Sequence, residues 1–278
     1  MSRHRFTQVD VFTDVALKGN ALAVVHDADG LSDATMQAFA HWTNLSETTF
    51  LLKPTQPGAD YRVRIFTPKG EMRFAGHPTL GSCHAWRLAG GVPATAGMVV
   101  QECGVGLVRI RQRGQDAAFA APPLRVDAAD AAMLGAVQAA LGLEPEQVVA
   151  AAWLDNGARW LVLHLDSAAS VLAVEPDMAR LEPLAEVGLV GAHAAGGPAD
   201  FELRAFAPSI GVGEDPVTGS LNASVAQWLM QRGAAPEAYR ATQGTRLGRA
   251  GRVVIEREGD TVWVGGPSVA CIQGDLTL

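Results

Sequence analysis

Arg64–Pro68 (RIFTP) and Gly76–Ser82 (GHPTLGS), in the first half of the chain, have counterparts in the second half: Arg204–Pro208 (RAFAP) and Glu214–Ser220 (EDPVTGS). The two pairs occur in the same order. Self-similarity on this scale is typical of an internally duplicated fold. We therefore interpret the chain as two related halves, each of which contributes one copy of the motif to a shared site.

A second pair of segments supports the duplication. Gly106–Pro122 aligns with Gly251–Pro267 without a gap, and glycine, valine, isoleucine, glycine and proline coincide at matching positions. Chance alignment of common residues is the alternative interpretation. The shared order of both pairs favours duplication.

Local patterns predict the elements around the motifs. A helix is expected over Asp33–Thr43, with Ser32 as its N-cap, and another over Asp127–Leu141. Pro78 is placed in the first turn of a helix that ends near Leu88, and Pro216 is predicted to open the corresponding helix of the second half. Alternating or β-branched runs predict strands at Phe6–Phe12, Ala21–His26, Thr48–Leu52, Tyr61–Phe66, Trp160–Leu165, Phe201–Phe206, Val253–Glu256 and Val262–Val264.

These elements predict an α/β (α+β) fold of two pseudo-symmetric domains. Each domain is expected to be a curled, mostly antiparallel sheet around a central helix. The Ala121-Pro122-Pro123 break sets the predicted domains at 1–125 and 126–278, and a return of the final strand to the first domain is left open.

Composition limits the classes of partner. The chain has 278 residues, a formal net charge of -7 and 48% hydrophobic residues. The negative charge and the lack of a basic run argue against nucleic acid and membrane surfaces, so a small molecule is the expected partner. The first residues lead into a strand-like segment and no apolar stretch is long enough to cross a bilayer, so the expected location is cytoplasmic.

The repeated motifs lie where helices are predicted to begin, and unpaired amide groups at a helix start favour a carboxylate or phosphate. Thr79 in the first motif, and Thr218, Gly219 and Ser220 in the second, permit close approach and hydrogen bonding. His77 and Asp215 both precede a proline.

We interpret His77 and Asp215 as an asymmetric pair of proton-handling groups in a cleft shared by the two halves. The alternative is structural, because Asp-Pro is an ordinary helix cap and Gly-His-Pro an ordinary turn.

Other catalytic signatures do not match. Ser220 lacks the surroundings of a hydrolase nucleophile, and no dinucleotide fingerprint or phosphate-binding lysine motif occurs. The three cysteines and the scattered histidines show no metal-ligand spacing. The sequence therefore predicts no cofactor and no metal.

Several motifs together resemble the PhzF-like family of phenazine-biosynthesis isomerases, and the resemblance extends over almost the whole chain. The residues that carry it are Phe12-Thr13, Gly19–Val24, Asn44–Thr48, Phe66–Pro68, Gly76–Thr79, Asp215–Ser220, Gln243-Gly244 and Gly248-Arg249. The resemblance implies the architecture of diaminopimelate epimerase, with an active site between two similar domains. It also implies a homodimer.

What the resemblance implies for function is cofactor-independent acid/base isomerisation, similar to that of trans-2,3-dihydro-3-hydroxyanthranilate isomerase. In that reaction a proton leaves one ring carbon and is regained at another. The family's glutamate falls on Glu47, which would take and return the proton, with His77 and Asp215 as its catalytic partners. The residues expected to bind a small carboxylated substrate are Ser46, Gly76, Thr79, Thr218, Gly219 and Ser220.

Two alternatives keep the fold and change the activity. One is a cofactor-free racemase or epimerase that uses Glu47 with His77 or Asp215. The paired cysteines of such racemases are missing from both motifs. The other is a non-catalytic module that binds a small molecule or a protein.

Overall fold

The computed structural model describes residues 2–114 and 116–278. The strands, numbered in chain order, are β1 (Arg3–Val11), β2 (Asn20–Val25), β3 (Glu47–Leu52), β4 (Tyr61–Phe66), β5 (Glu71–Met72), β6 (Met98–Cys103), β7 (Gly106–Arg113), β8 (Asp116–Ala120), β9 (Arg125–Asp127), β10 (Val148–Asp155), β11 (Arg159–Leu165), β12 (Val187–Ala192), β13 (Phe201–Ala207), β14 (Val212–Asp215), β15 (Ala238–Gln243), β16 (Gly251–Glu258), β17 (Thr261–Gly266) and β18 (Ser268–Thr277). The helices are α1 (Asp33–Thr43), α2 (Gly76–Leu88), α3 (Ala131–Leu141), α4 (Ala168–Ala173), α5 (Met178–Leu181) and α6 (Gly219–Gln231).

The chain divides into two compact units. Unit 1 comprises the residues up to Ala120 together with Gly265–Leu278, and unit 2 comprises Ala121–Val264. In unit 1 the neighbouring strands run β18, β1, β2, β3, β4, β6, β7 and β8, with β5 also paired to β4. The β2–β3 and β4–β6 pairs are parallel and the others antiparallel.

Unit 2 repeats this order. Strands β9, β10, β11, β12, β13, β15 and β16 follow one another, and β14 is also paired to β13. The parallel pairs are β11–β12 and β13–β15, at the same places as in unit 1. The duplication seen in the sequence is therefore a duplication of strand order.

A long helix forms the centre of each unit. Helices α2 and α6 have thirteen residues each, and most of their side chains are buried. Helix α2 contacts strands from both ends of the unit 1 order, including β1, β8 and β18, so the sheet curls around it. The predicted fold class is confirmed: each unit is a mostly antiparallel sheet curled around one helix.

Helix α1 covers the other face of the unit 1 sheet. Ser32 caps it by accepting a hydrogen bond from the Thr35 amide, and the bounds agree with the prediction. Its apolar residues Met36 and Phe39 pack with Phe50 and Phe66 in one cluster. This layer fixes the strands that present the candidate site.

Two predicted helix starts were wrong. Arg125–Asp127 forms β9, and α3 begins only after Asp130, whose carboxylate accepts hydrogen bonds from the Ala132 and Met133 amides. The correct N-cap is therefore Asp130, because its side chain satisfies two amides that the helix leaves open.

Pro216 does not open a helix either. Asp215 is the last residue of β14 and pairs with Ala205, and α6 begins at Gly219. A residue before proline prefers extended backbone, so Asp215 continues the strand instead of capping a helix.

Candidate active site

Glu47 stands at the first position of β3, next to the start of the neighbouring strand. β2 and β3 are parallel, and Leu22 pairs with Glu47. Asn20 opens β2 and is buried, with 2% of its surface exposed. The parallel arrangement therefore brings Asn20 and Glu47 to the same edge of the sheet.

Helix α2 supplies a third group. His77 is its second residue and is buried, and its Nε2 lies 3.4 Å from Glu47 Oε2. The Nδ1 atom of the same ring lies 3.4 Å from Asn20 Nδ2. The imidazole therefore lies between an amide and a carboxyl group.

Burial controls the acidity of Glu47. Its side chain is 14% exposed, and no described residue hydrogen-bonds to Oε2, which is buried. Loss of water raises the pKa of Glu47 from 4.5 to about 7, and a hydrogen bond from Ser46 opposes the rise. A carboxyl group with this pKa can both accept and release a proton near neutral pH.

Ser46 precedes Glu47 and faces Asn20. The Ser46 hydroxyl lies 3.5 Å from Asn20 Oδ1, the oxygen of the same amide whose nitrogen faces His77. Ser46, Glu47 and His77 are thus brought together as predicted from the sequence. Asn20 joins them, although the sequence interpretation had placed it only within a family motif.

The start of α2 has no side-chain cap. Ala75 occupies the N-cap position in extended conformation and makes no side-chain hydrogen bond to the helix. Gly76 follows as the first helical residue. Such a helix start, with its positive end of the dipole, is suited to a carboxylate.

Thr79 is hydrogen-bonded within the interior of unit 1, whereas a residue that contacts a ligand usually has an accessible side chain. It is fully buried, and its Oγ1 accepts a hydrogen bond of 3.0 Å from Gln101 Nε2. Gln101 in turn accepts from the Tyr61 hydroxyl. Thr79 therefore joins α2 to β4 and β6, and a direct contact with substrate stays a prediction.

The remaining predicted residues lie together in unit 2. Asp215 ends β14 and its Oδ2 accepts a 2.5 Å hydrogen bond from the Thr218 hydroxyl. Gly219 and Ser220 are the first two residues of α6. Ser220 Oγ accepts a 3.2 Å hydrogen bond from the Trp160 indole.

Gln243 connects Asp215, Thr218 and Asn222 through hydrogen bonds. The sequence interpretation did not assign it this structural role. Gln243 is fully buried, its Oε1 accepts from the Thr218 amide and the Asn222 side chain, and its Nε2 donates to the Asp215 carbonyl and to Thr218 Oγ1. The only signal in the sequence was its presence in one of the family motifs. The network fixes the start of α6 relative to β14.

The helix starts correct the alignment of the two motifs. The first residues of α2 and α6 are Gly76 and Gly219, so His77 matches Ser220. Glu71 pairs with Phe66 in unit 1, and Glu214 pairs with Phe206 in unit 2. By the same register Asp215 matches Met72, and the predicted equivalence of His77 and Asp215 was wrong. The cause is that Pro78 lies inside α2, whereas Pro216 precedes α6.

Comparison with known proteins identifies the family. The model of the phenazine biosynthesis-like protein family matches residues 9–274. The chain is 37% identical to Antisense-enhancing sequence 1 of Schizosaccharomyces pombe, over 99% of both chains. It is 33% identical to trans-2,3-dihydro-3-hydroxyanthranilate isomerase of Pseudomonas aeruginosa, over 99% of this chain and 100% of the relative.

Solved structures give the same assignment. A PhzF family phenazine biosynthesis protein of Enterococcus faecalis superposes with a TM-score of 0.85 at 26% identity, with all of both chains covered. The chain belongs to the phenazine biosynthesis-like family, has the diaminopimelate epimerase-like fold and is an isomerase. Within the described residues, no helix is long and apolar enough to span a membrane.

Proposed function

We propose that this protein is a cofactor-independent isomerase that moves a proton within a small carboxylated substrate, with Glu47 as the acid/base group. The observation that carries the proposal is the Glu47–His77 pair: a mostly buried carboxyl whose pKa is raised to about 7, with Oε2 3.4 Å from an imidazole nitrogen. A substrate similar to trans-2,3-dihydro-3-hydroxyanthranilate is the first choice, because the isomerase named for this compound is 33% identical to the chain over 99% of its length.

The proposed step needs no change of oxidation state. The ionised Glu47 carboxylate takes a proton from a carbon of the substrate, and the electron pair of the broken C–H bond is delocalised over the adjacent unsaturated system. The protonated carboxyl then delivers the proton to a different carbon, which relocates the double bond. His77 would stabilise charge that develops during the transfer, and Gly76 at the start of α2 would hold the substrate carboxylate.

Other roles stay proposals on the strength of the family resemblance. Asp215 is proposed as a further catalytic residue, and Thr218, Gly219 and Ser220 as substrate-binding residues. Homodimer formation and a cytoplasmic location are proposed on the same ground. Light scattering on the purified full chain over a range of concentrations tests the dimer, and a monomer mass throughout would refute it.

Exchange of substrate protons with solvent tests the proposed chemistry. Wild type, Glu47→Gln and Glu202→Gln are incubated in heavy water with trans-2,3-dihydro-3-hydroxyanthranilate and a panel of amino and hydroxy acids, after dialysis against a chelator. NMR follows turnover and deuterium uptake. Glu202 is the matched control, because it is another buried carboxylate, in unit 2.

We expect Glu47→Gln to lose about 10²- to 10⁴-fold in rate, since that is the usual contribution of a general acid/base, and Glu202→Gln to stay near wild type. Deuterium entering only a stereocentre, without movement of a double bond, would assign the racemase or epimerase alternative. Binding without exchange for every compound would assign the non-catalytic module. Equal rates for wild type and Glu47→Gln would refute the role of Glu47.

A further inference from the structure

The loop between β1 and β2 leads directly into the candidate active site. It ends at Asn20, whose amide nitrogen lies 3.4 Å from His77 Nδ1 and whose amide oxygen lies 3.5 Å from the Ser46 hydroxyl. Leu17 precedes Asn20 by three residues. Consecutive Cα atoms are about 3.8 Å apart, so the Cα atoms of Leu17 and Asn20 lie within about 11 Å of each other. The Leu17 side chain is therefore within reach of a ring-sized ligand at this edge of the sheet.

Both ends of this loop are fixed to unit 1. The Thr13 amide donates a 3.0 Å hydrogen bond to the Pro267 carbonyl, and the Gly19 amide donates a 3.3 Å bond to Asp10 Oδ2. A Cβ atom on Gly19 would lie 2.4 Å from a backbone oxygen of β1, so a larger residue would displace the backbone. Between these ends, residues Asp14–Lys18 are all exposed. The loop therefore presents an exposed tip on a fixed base.

The tip is a tight turn whose geometry favours glycine at the position of Leu17. The Lys18 amide donates a 3.2 Å hydrogen bond to the Val15 carbonyl, which closes a four-residue turn with Ala16 and Leu17 at its centre. Of these two central residues only Leu17 has a positive φ, of 68°, as at the third position of a type II turn. Glycine or asparagine is preferred there, because a larger side chain in this conformation is strained.

Burial does not offset the strain at Leu17. Phe12, at the start of the same loop, also has a positive φ, of 64°, but it is fully buried and packing stabilises it. Leu17 is 73% exposed, and Val15 beside it is 52% exposed. Within the described residues, packing therefore gives no reason for a leucine in this turn. Strain that packing does not offset is typical of residues that serve a ligand site.

We propose that Leu17 is a specificity-determining residue, whose side chain covers the apolar face of a ring in the substrate bound beside Glu47. The substrate carboxylate is proposed to lie at the start of α2, which leaves the apolar part of a ring compound to a different group. The choice of a ring rests on the proposed function. An apolar contact that is equally strong before and during proton transfer contributes to substrate binding and leaves kcat unchanged.

Two variants at this position separate the side chain from the strain. Leu17→Ala removes the side chain and keeps the positive φ, whereas Leu17→Gly removes both. With trans-2,3-dihydro-3-hydroxyanthranilate as substrate, we expect both variants to raise KM about five- to tenfold with little change in kcat, because part of the burial of a leucine side chain is lost. Leu17→Gly should also melt at a temperature roughly 2–4 °C higher than Leu17→Ala, because glycine relieves the strain.

Val92→Ala is the matched control, because Val92 is 81% exposed and lies beyond the C-terminal end of α2, away from the residues that form the site. Its KM should equal that of wild type. A wild-type KM for Leu17→Ala would overturn the role of Leu17. A KM raised in Leu17→Gly alone would also overturn it, since the effect would then come from loop conformation. A changed molar mass of Leu17→Ala in light scattering would place Leu17 between copies of the chain and overturn the substrate contact.

Glu47→Gln in the same assay tests the proposed function separately. If Glu47→Gln lost activity and Leu17→Ala kept the wild-type KM, only the role of Leu17 would fail. If Glu47→Gln kept the wild-type rate and Leu17→Ala raised KM, the role of Glu47 would fail and that of Leu17 would stand. If wild type neither turned over this compound nor bound it in calorimetry, the ring contact of Leu17 would be overturned, while the other acids of the panel would still test Glu47.

Discussion

Unit 1 and unit 2 have the same strand order and a central helix of the same length, but they differ at the positions of Glu47 and His77. Glu47 pairs with Leu22 where Val187 pairs with Leu161 in unit 2, and His77 stands where Ser220 stands in α6. The Glu47–His77 pair of unit 1 therefore has no counterpart at the matching positions of unit 2, although the framework is shared.

Carboxyl–imidazole contacts occur in both units with different surroundings. In unit 2, His193 Nε2 lies 3.3 Å from Glu202 Oε2, and the Thr242 hydroxyl donates to the same oxygen at 2.5 Å. In unit 1, no described residue hydrogen-bonds to the Glu47 oxygen that faces His77. Glu202 also has a buried oxygen, Oε1, to which no described residue donates a hydrogen bond, so the two carboxyl groups differ in which oxygen faces the histidine, and proximity to histidine alone does not define an acid/base group.

The largest expected effect concerns the arginine–glutamate ion pair that each unit contains at the same place. Arg204 donates two bonds to Glu214 from β13, as Arg64 does to Glu71 from β4. Arg204 and Glu214 are 4% and 9% exposed, whereas Arg64 and Glu71 are 17% and 42% exposed. We expect Arg204→Met to reduce the free energy of unfolding by about 3–5 kcal/mol, because Glu214 would stay buried without its partner.

The matched variant is Arg64→Met, for which we expect a loss of about 1 kcal/mol, since solvent screens the more exposed pair. Urea denaturation of the full chain measures both. Equal losses would show that burial does not distinguish the two pairs.

The next effect is the pH dependence of the free energy of unfolding that Glu47 causes. Its folded pKa of about 7 exceeds the ordinary 4.5, so the stability associated with the protonated carboxyl is fully present below pH 4.5 and is lost as the pH rises through about 7. Relative to Glu47→Gln, wild type should lose roughly 3 kcal/mol across that interval. Urea midpoints of both proteins between pH 4.5 and about pH 8 measure the difference.

Comparison with the glutamine variant removes the contribution of other titrating groups. His26 is one such group, because burial lowers its pKa to about 4. A difference between the two proteins that did not change with pH would contradict the raised pKa of Glu47.

The smallest effect concerns the two helix starts. Ala75 is the N-cap of α2 where Thr218 is the N-cap of α6, and neither side chain caps its helix. Ala75→Ser should raise the free energy of unfolding by about 0.5 kcal/mol, because Ala75 already has the extended backbone of a cap. The gain is small, since Pro78 at the third helical position has no N–H and leaves only the His77 amide to bond the hydroxyl. Ala75→Ser should also raise KM, since the hydroxyl would lie at the helix start where Gly76 is proposed to hold the substrate carboxylate.

Ala89→Ser at the other end of α2 is the control for a serine that cannot cap. We expect no change in KM for this variant. A KM for Ala75→Ser equal to that of wild type would show that the start of α2 does not bind the substrate.

Local signals in the sequence determined much of the framework. Helix α1 and strand β4 have the predicted bounds, because Ser32 caps one and alternation defines the other. The alignment of Gly106–Pro122 with Gly251–Pro267 also agrees with the structure: both segments begin a strand, and Gly114 and Gly259 both have positive φ in the following turn. These features depend on neighbouring residues, so a single sequence can specify them.

The sequence by itself also identified Ser46, Glu47 and His77 as candidates through the repeated motif and the family resemblance. Only the tertiary structure showed that His77 corresponds to Ser220, because the alignment of the motifs depends on where each helix begins. Only the structure brought Asn20 against His77. Such contacts join residues far apart in the chain through strand pairing and helix packing, and burial then sets the pKa of Glu47.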